Sequence, residues 1–198
     1  MKIIVIGATG TIGKRVVSSL TNEHEIIEAG NRTGAFKVDT DSKSSMEEFF
    51  KSIGPFDALV ATMGRAHLGN FAEMTDEHFK IGIDSKLLAQ INLVLIGQRY
   101  IKPGGSFTLT SGILSEDPIP QGVACTTADA AVNAFVKAAA IELKYDVRIN
   151  AVAPGVVEDS PALFKFFPGH IPVSMGKVVA AYHKSLFGGH TGEVLRAY

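Results

Sequence analysis

The sequence predicts an α/β fold: one domain over residues 1–198, built on a doubly wound, mostly parallel seven-stranded sheet with helices on both faces. Three observations predict it. Short β-rich runs alternate with longer helical patterns, the order that crossovers between parallel strands require. The first apolar run, Ile3-Ile4-Val5-Ile6, passes directly into Gly7-Ala8-Thr9-Gly10-Thr11-Ile12-Gly13, a glycine-spaced turn that opens a helix. Hydrophobic residues make up 46% of the 198, enough to bury a substantial core.

Taken in order, the first strand is expected at 2–6 and the first helix at 12–20. The second strand, 25–29, reads Glu25-Ile26-Ile27-Glu28-Ala29 and opens into Gly30-Asn31-Arg32-Thr33. A third, 35–38, closes at Asp39 and is followed by a helix at 45–53. The fourth strand, 57–61, runs into Thr62-Met63-Gly64, and a long helix is expected at 77–100. The fifth, 106–110, ends at Ser111. In the helix expected at 127–143, Ala128, Ala131, Val132, Phe135, Val136 and Ala139 recur at helical spacing and give a wide apolar face. Strands at 147–152 and 193–197 flank a helix at 175–186. Between them, 164–172 holds three Phe, two Pro and one Gly, and is expected as a loop with exposed apolar content of the kind that covers binding sites.

The turn at 7–13 carries the first functional reading. Glycines let backbone turn tightly and approach a pyrophosphate, whose charge meets the unpaired N–H groups of a helix N-terminus. Gly7, Thr9, Gly10, Thr11, Ile12 and Gly13 are therefore candidate dinucleotide contacts in a Rossmann-like fold; glycines serving helix–strand packing alone are the alternative. The composition narrows the field further. A formal net charge of −1, with no Lys/Arg block, does not suggest nucleic acid or an anionic membrane as partner. No apolar run reaches the ~18 residues of a membrane span, and no secretory leader is expected. One cysteine, Cys125, excludes an internal disulfide and fits a reducing, cytoplasmic setting. The six His show no metal-ligand spacing, so no metal site is expected.

These residues together resemble the short-chain dehydrogenase/reductase family over nearly the whole chain. The matching segments are the Gly7/Gly10/Gly13 turn, Asp39 after the third strand and Ala61-Thr62-Met63-Gly64 where the family has Asn-Asn-Ala-Gly. They continue with Ser111 after the fifth strand, the helix around Ala130-Ala131-Val132-Asn133-Ala134-Phe135, Arg148 to Gly155 with its Pro154-Gly155 turn, and Thr191-Gly192. The resemblance implies hydride transfer between a nicotinamide cofactor and a small carbonyl or alcohol. It implies cofactor contacts from Asp39, Thr62, Met63, Gly64, Pro154 and Gly155, and a homodimer or homotetramer paired through the two long helices.

The resemblance also exposes a departure. The family's catalytic set is Asn, Ser, Tyr and Lys. At those positions this chain has Lys86, Ser111, Cys125 and Asp129. Only the serine keeps its type, and Tyr100, Tyr145, Tyr182 and Tyr198 all lie elsewhere. A thiol is a weak hydrogen-bond donor, and a negative Asp129 one helical turn away is expected to raise its pKa. Lys86 and Asp129 are expected to form an ion pair, since either charge alone would be costly in a cleft. The alternative gives Lys86 a proton-donating or anion-binding role. Ser111 is expected to face the cleft; a turn-capping serine is the other reading.

Cofactor preference follows from the end of the second strand. NAD-preferring relatives place an acid there, which repels a 2′-phosphate. Here the corner is Asn31, Arg32 and Thr33, neutral then basic, and it points to NADP(H). Glu28 is the nearest acid, and a one-residue shift of the strand end would bring it to the corner. Two readings stand: an NADP-dependent oxidoreductase with an altered proton donor, or a non-catalytic NADP(H)-binding protein serving as sensor or regulatory subunit.

Overall fold

A computed structural model describes residues 1–31 and 33–198. Seven strands form one sheet in the order β3-β2-β1-β4-β5-β6-β7, every pair parallel, where the sequence suggested only a mostly parallel sheet. The strands are β1 Lys2–Ile6, β2 Glu25–Gly30, β3 Phe36–Lys37, β4 Phe56–Ala61, β5 Ile101–Thr110, β6 Arg148–Pro154 and β7 Val194–Ala197. The helices are α1 Gly13–Leu20, α2 Lys43–Ile53, α3 Asp76–Gly82, α4 Ala89–Gly97, α5 Val123–Glu142 and α6 Met175–Phe187.

Alternation along the strands sorts the core into two layers. Ile4, Ile6, Leu59, Phe107, Leu109 and Ile149 face Met46, Phe49 and Phe50 of α2, Leu93 of α4, and Val132 and Val136 of α5. On the other side Ile3, Val5, Val60 and Val152 meet Val16 and Leu20 of α1 and Val178, Tyr182 and Leu186 of α6. The strand order reverses between β1 and β4, so their C-terminal ends open a crevice, the place where such sheets bind ligands.

Three departures from the sequence expectation are the largest. β5 begins at Ile101 instead of 106, because Gly104, with φ +73°, and Gly105 admit a bulge. A Cβ on Gly105 would lie 2.7 Å from the Asp57 carbonyl oxygen. The helix expected over 77–100 is interrupted: a π-helical stretch, Ile83–Leu88, separates α3 from α4. Within it Ser85 Oγ donates to the Ile81 carbonyl (2.6 Å) and accepts from the Arg65 N–H (3.0 Å), so a polar side chain is inserted into the helical ladder. α5 starts at Val123, four residues early, which puts Cys125 inside its first turn.

Candidate active site

The crevice has a half made from backbone and a half made from side chains. In the first, Gly7 follows β1 with φ +81°, and its N–H donates to the Ala29 carbonyl of β2 (2.8 Å). A Cβ on Gly13 would lie 2.1 Å from the Gly7 carbonyl oxygen, so no side chain fits there, whereas Gly10 meets only that same oxygen at 3.2 Å. Thr62, at the end of β4, turns its hydroxyl inward, against the Ile6 and Gly7 carbonyls at 3.0 and 3.1 Å. Its side chain braces the turn. The N–H groups of Thr11, Ile12 and Gly13 have no backbone acceptor among the described residues. α1 carries no side-chain cap and no acid in its first turn, so its positive end is uncompensated. This turn fits a pyrophosphate.

Beside it, the Thr9 and Thr33 hydroxyls join at 2.5 Å, tying the glycine turn to the loop after β2. Glu28 pairs in register with Val5 inside β2, and the strand runs on to Gly30, so the acid sits within the strand and Asn31 follows its end. Arg32 lies outside the described residues. Asp39 Oδ1 accepts from the Asp41 N–H (3.1 Å) and from Asn31 Nδ2 (3.4 Å). Asn31, Met63 and Gly64 share a cavity of about 440 Å³ with Thr40, Asp41, Arg65 and Ser85. Arg65 and Asp41 bridge that cavity's rim as an exposed ion pair at 3.1 Å. Neither residue stood out in the sequence.

In the second half, Lys86 comes from the π-helical stretch, Ser111 and Gly112 follow β5, and Cys125 and Asp129 lie on α5. The expected ion pair is formed: Lys86 Nζ meets Asp129 Oδ1, with side-chain exposures of 17% and 4%. Lys86 Nζ also donates to the Ser111 carbonyl (3.3 Å). Two glycines make room for the pair. A Cβ on Gly64, which has φ +133°, would lie 2.7 Å from Lys86 Cγ, and one on Gly112 would lie 2.5 Å from Asp129 Oδ2. Gln90, fully buried in α4, donates to the Lys86 and Thr110 carbonyls (3.1 and 3.0 Å) and accepts from the Thr110 N–H (2.8 Å). It fixes Lys86 against the end of β5. The one sign of it in the sequence is an amide early in a mostly apolar helix.

Ser111 is buried, its N–H donating to the Val152 carbonyl (2.9 Å) and its Oγ without a partner. Cys125 Sγ donates to the His67 carbonyl (3.4 Å). Its thiol pKa is raised, as expected, but burial is the main cause; Lys86 opposes it and Asp129 adds to it. Pro154 and Gly155 close β6, with the Gly155 N–H on the Ala197 carbonyl (3.1 Å).

A loop closed at its base by Val157 and Val173 lies over this end, carrying a 3-10 turn, Pro161–Phe166. Its Phe166 and Phe167 pack beside Ile113, Leu114, Ile119 and Cys125, while Ile171 stays exposed. Arg15, which reads in sequence as an ordinary surface residue, anchors the loop through Nε and Nη2 to Asp159 Oδ2 at 3.0 and 2.8 Å. No group of His, Cys, Asp and Glu suited to a metal ion is present among the described residues.

Comparison with known proteins agrees with this geometry. The family model described as enoyl-(acyl carrier protein) reductase matches residues 12–165. The crystal structure of the protein lin1944 from Listeria innocua is 44% identical, with TM-score 0.98 over 100% of both chains. A small-chain dehydrogenase solved in complex with NADPH is 28% identical, with TM-score 0.87 over 99% of this chain and 95% of that one. Short-chain dehydrogenase/reductase ATR9 of Stachybotrys chlorohalonatus is 29% identical over 197 residues, 93% of this chain and 75% of its own length. Of three other curated relatives the chain spans 47% to 55%.

Proposed function

The chain belongs to the short-chain dehydrogenase/reductase family, and we propose that it is an NADP(H)-dependent oxidoreductase interconverting a small carbonyl and its alcohol. One observation carries the reading: an uncapped, acid-free α1 terminus behind a glycine turn that admits no Cβ at Gly13. The similar dehydrogenase solved with NADPH supports the choice of cofactor.

When bound, the reduced nicotinamide supplies a hydride. The chain's own residues do the rest. The N–H groups of Thr11, Ile12 and Gly13 meet the pyrophosphate charge. Thr62 keeps the turn in shape from below. Asn31, Arg32 and Thr33 receive the 2′-phosphate, with Glu28 held within β2 and the Asp39 carboxylate turned to Asn31 Nδ2. Asp39, Met63 and Gly64 border the adenosine, and Pro154 with Gly155 borders the nicotinamide end. Ser111 offers its unpartnered hydroxyl to a substrate oxygen, and Phe166 and Phe167 of the covering loop exclude water.

The second reading, a non-catalytic NADP(H)-binding protein, is favoured by one feature. Lys86 and Asp129 form an ion pair where the family's proton relay stands. The exposed Leu88 and Leu95 on one long helical segment and Ile141 on α5 support pairing with a second copy through these helices. Among the described residues no helix is long and apolar enough to cross a membrane.

Calorimetry with NADPH and NADH tests the reading, followed by a panel of carbonyls. Micromolar NADPH binding, weakened at least tenfold by Arg32→Ala, is expected. Binding of neither dinucleotide would remove it.

A further inference from the structure

The Lys86 ammonium has three N–H groups. One donates to the Ser111 carbonyl, and the charge as a whole is paired with Asp129 Oδ1 without a hydrogen bond of good geometry to it. The other N–H groups have no well-formed hydrogen bond to protein among the described residues, and 17% of the side chain remains accessible. Next to it in the chain fold, Ser111 is 2% exposed with an unpartnered Oγ. A buried hydroxyl left without a partner is unfavourable unless something else occupies it. Two uncommitted donors therefore stand together where β5 ends, on a cation whose place is cut out by Gly64 and whose counterion is seated against Gly112.

The thiol and the phenols, the side chains closest in chemistry to the family's acid, are committed or placed elsewhere. Cys125 directs its single proton at the His67 carbonyl. Tyr182 is fully buried against Thr110 Oγ1 (2.6 Å), and Tyr198 donates to Glu116 Oε2 (2.8 Å). Tyr100 precedes β5, at the end of the strands opposite the crevice. Tyr145 is 76% exposed beyond the end of α5.

We propose that Lys86 is the proton donor to the substrate oxygen. This rests on the reading of the crevice as a hydride-transfer site. In the reducing direction a hydride from the reduced nicotinamide dinucleotide forms a C–H bond at the carbonyl carbon. The C=O π pair moves to oxygen, and that oxygen takes a proton from Lys86 Nζ as the N–H bond breaks. The dinucleotide is oxidised, the carbonyl is reduced, and the neutral amine regains its proton from solvent. Asp129 is a positioning residue: it aims Nζ, and its fixed charge favours the return of the proton to the amine. Gln90 holds the lysine's backbone in the same place.

Lys86→Arg separates this from a purely electrostatic or structural lysine, because arginine keeps the charge and gives up no proton. The expected result is NADPH affinity within threefold of the native chain and carbonyl reduction slower by at least 100-fold, in the range by which general acids act. Reduction within fivefold of native would overturn the proposal. Should Lys86→Arg fold poorly, the uncharged pair Lys86→Gln/Asp129→Asn takes its place: retained turnover removes the proposal, and bound NADPH without turnover supports it together with the signal shift described next. A second readout needs no turnover. Dimethyl sulfoxide, whose S=O oxygen mimics a carbonyl but accepts no hydride, is added to the NADPH-bound native chain. The lysine ammonium ¹H–¹⁵N signal that Lys86→Arg deletes is expected to shift, and an unmoved signal counts against the proposal. A native chain that binds NADPH but reduces no carbonyl removes the proton donor and leaves the cofactor reading standing; one that binds no dinucleotide removes the reading itself.

Discussion

The two halves of the crevice are built from different material. Around α1 the site is backbone: a left-handed Gly7, a Gly13 with no space for a methyl group and three N–H groups without backbone acceptors among the described residues. Around α5 it is side chain: Lys86, Asp129, Ser111 and Cys125, drawn from three separate segments. A backbone site asks only for glycines and a helix start, so it persists while side chains around it change. A side-chain site depends on the identity of every member, and one exchange requires another. The difference teaches that the two halves of the crevice are separately adjustable in this fold.

Breaking the side-chain half should give the largest effect on stability. Asp129→Ala leaves the Lys86 charge in a largely buried site, and loss of one partner of a buried pair costs about 3–5 kcal/mol. Urea denaturation is expected to show that loss, with much of it recovered in Lys86→Met/Asp129→Leu. If Asp129→Ala alone were as stable as the native chain, the pair would not hold this half together. The backbone half breaks at Gly13→Ala, where overpacking against the Gly7 carbonyl should cost about 1–3 kcal/mol. Here the sharper readout is NADPH affinity, expected to fall at least 100-fold.

Gly112→Ala should be milder, of the order of 1 kcal/mol, since its Cβ would press on a carboxylate oxygen that can shift slightly. Its value lies in selectivity: turnover should drop while NADPH affinity holds, as measured by calorimetry beside steady-state rates. The smallest effect is acid sensitivity away from both halves. Asp57 accepts from the Lys2 N–H and pairs with Lys102, and the first of these is the main reason its pKa lies below the ordinary aspartate value. A depressed folded-state pKa contributes stability above the unfolded value, and this is lost as pH falls through the folded one. Asp57→Asn should therefore flatten part of the stability decline below about pH 4 in a pH series of thermal melts, and leave both halves of the crevice working.

Much of this was legible in the sequence, for reasons that differ by region. All seven strands lie near their expected places, because a run such as Ile3-Ile4-Val5-Ile6 is buried on both faces and reads as apolar throughout. The start of β5 was hidden because Pro103-Gly104-Gly105 reads as a turn, while the fold uses it as a bulge. The π-helical stretch was hidden because Ser85 acts on it through Arg65, a residue distant in sequence. The Lys86–Asp129 pair was legible only because the family resemblance placed the two positions in one cleft. Gln90, the Arg65–Asp41 bridge and the Arg15–Asp159 anchor depend on contacts between segments that no local pattern announces.

The room left by Gly64 and Gly112 has a historical consequence. Lys86→Asn alone would strand a buried carboxylate, and Asp129→Lys alone would set two ammonium groups against each other. Neither step toward the family's usual residues can be taken singly without a loss of stability. The two charged positions are therefore coupled, and point mutation reverses the exchange only through a weakened intermediate.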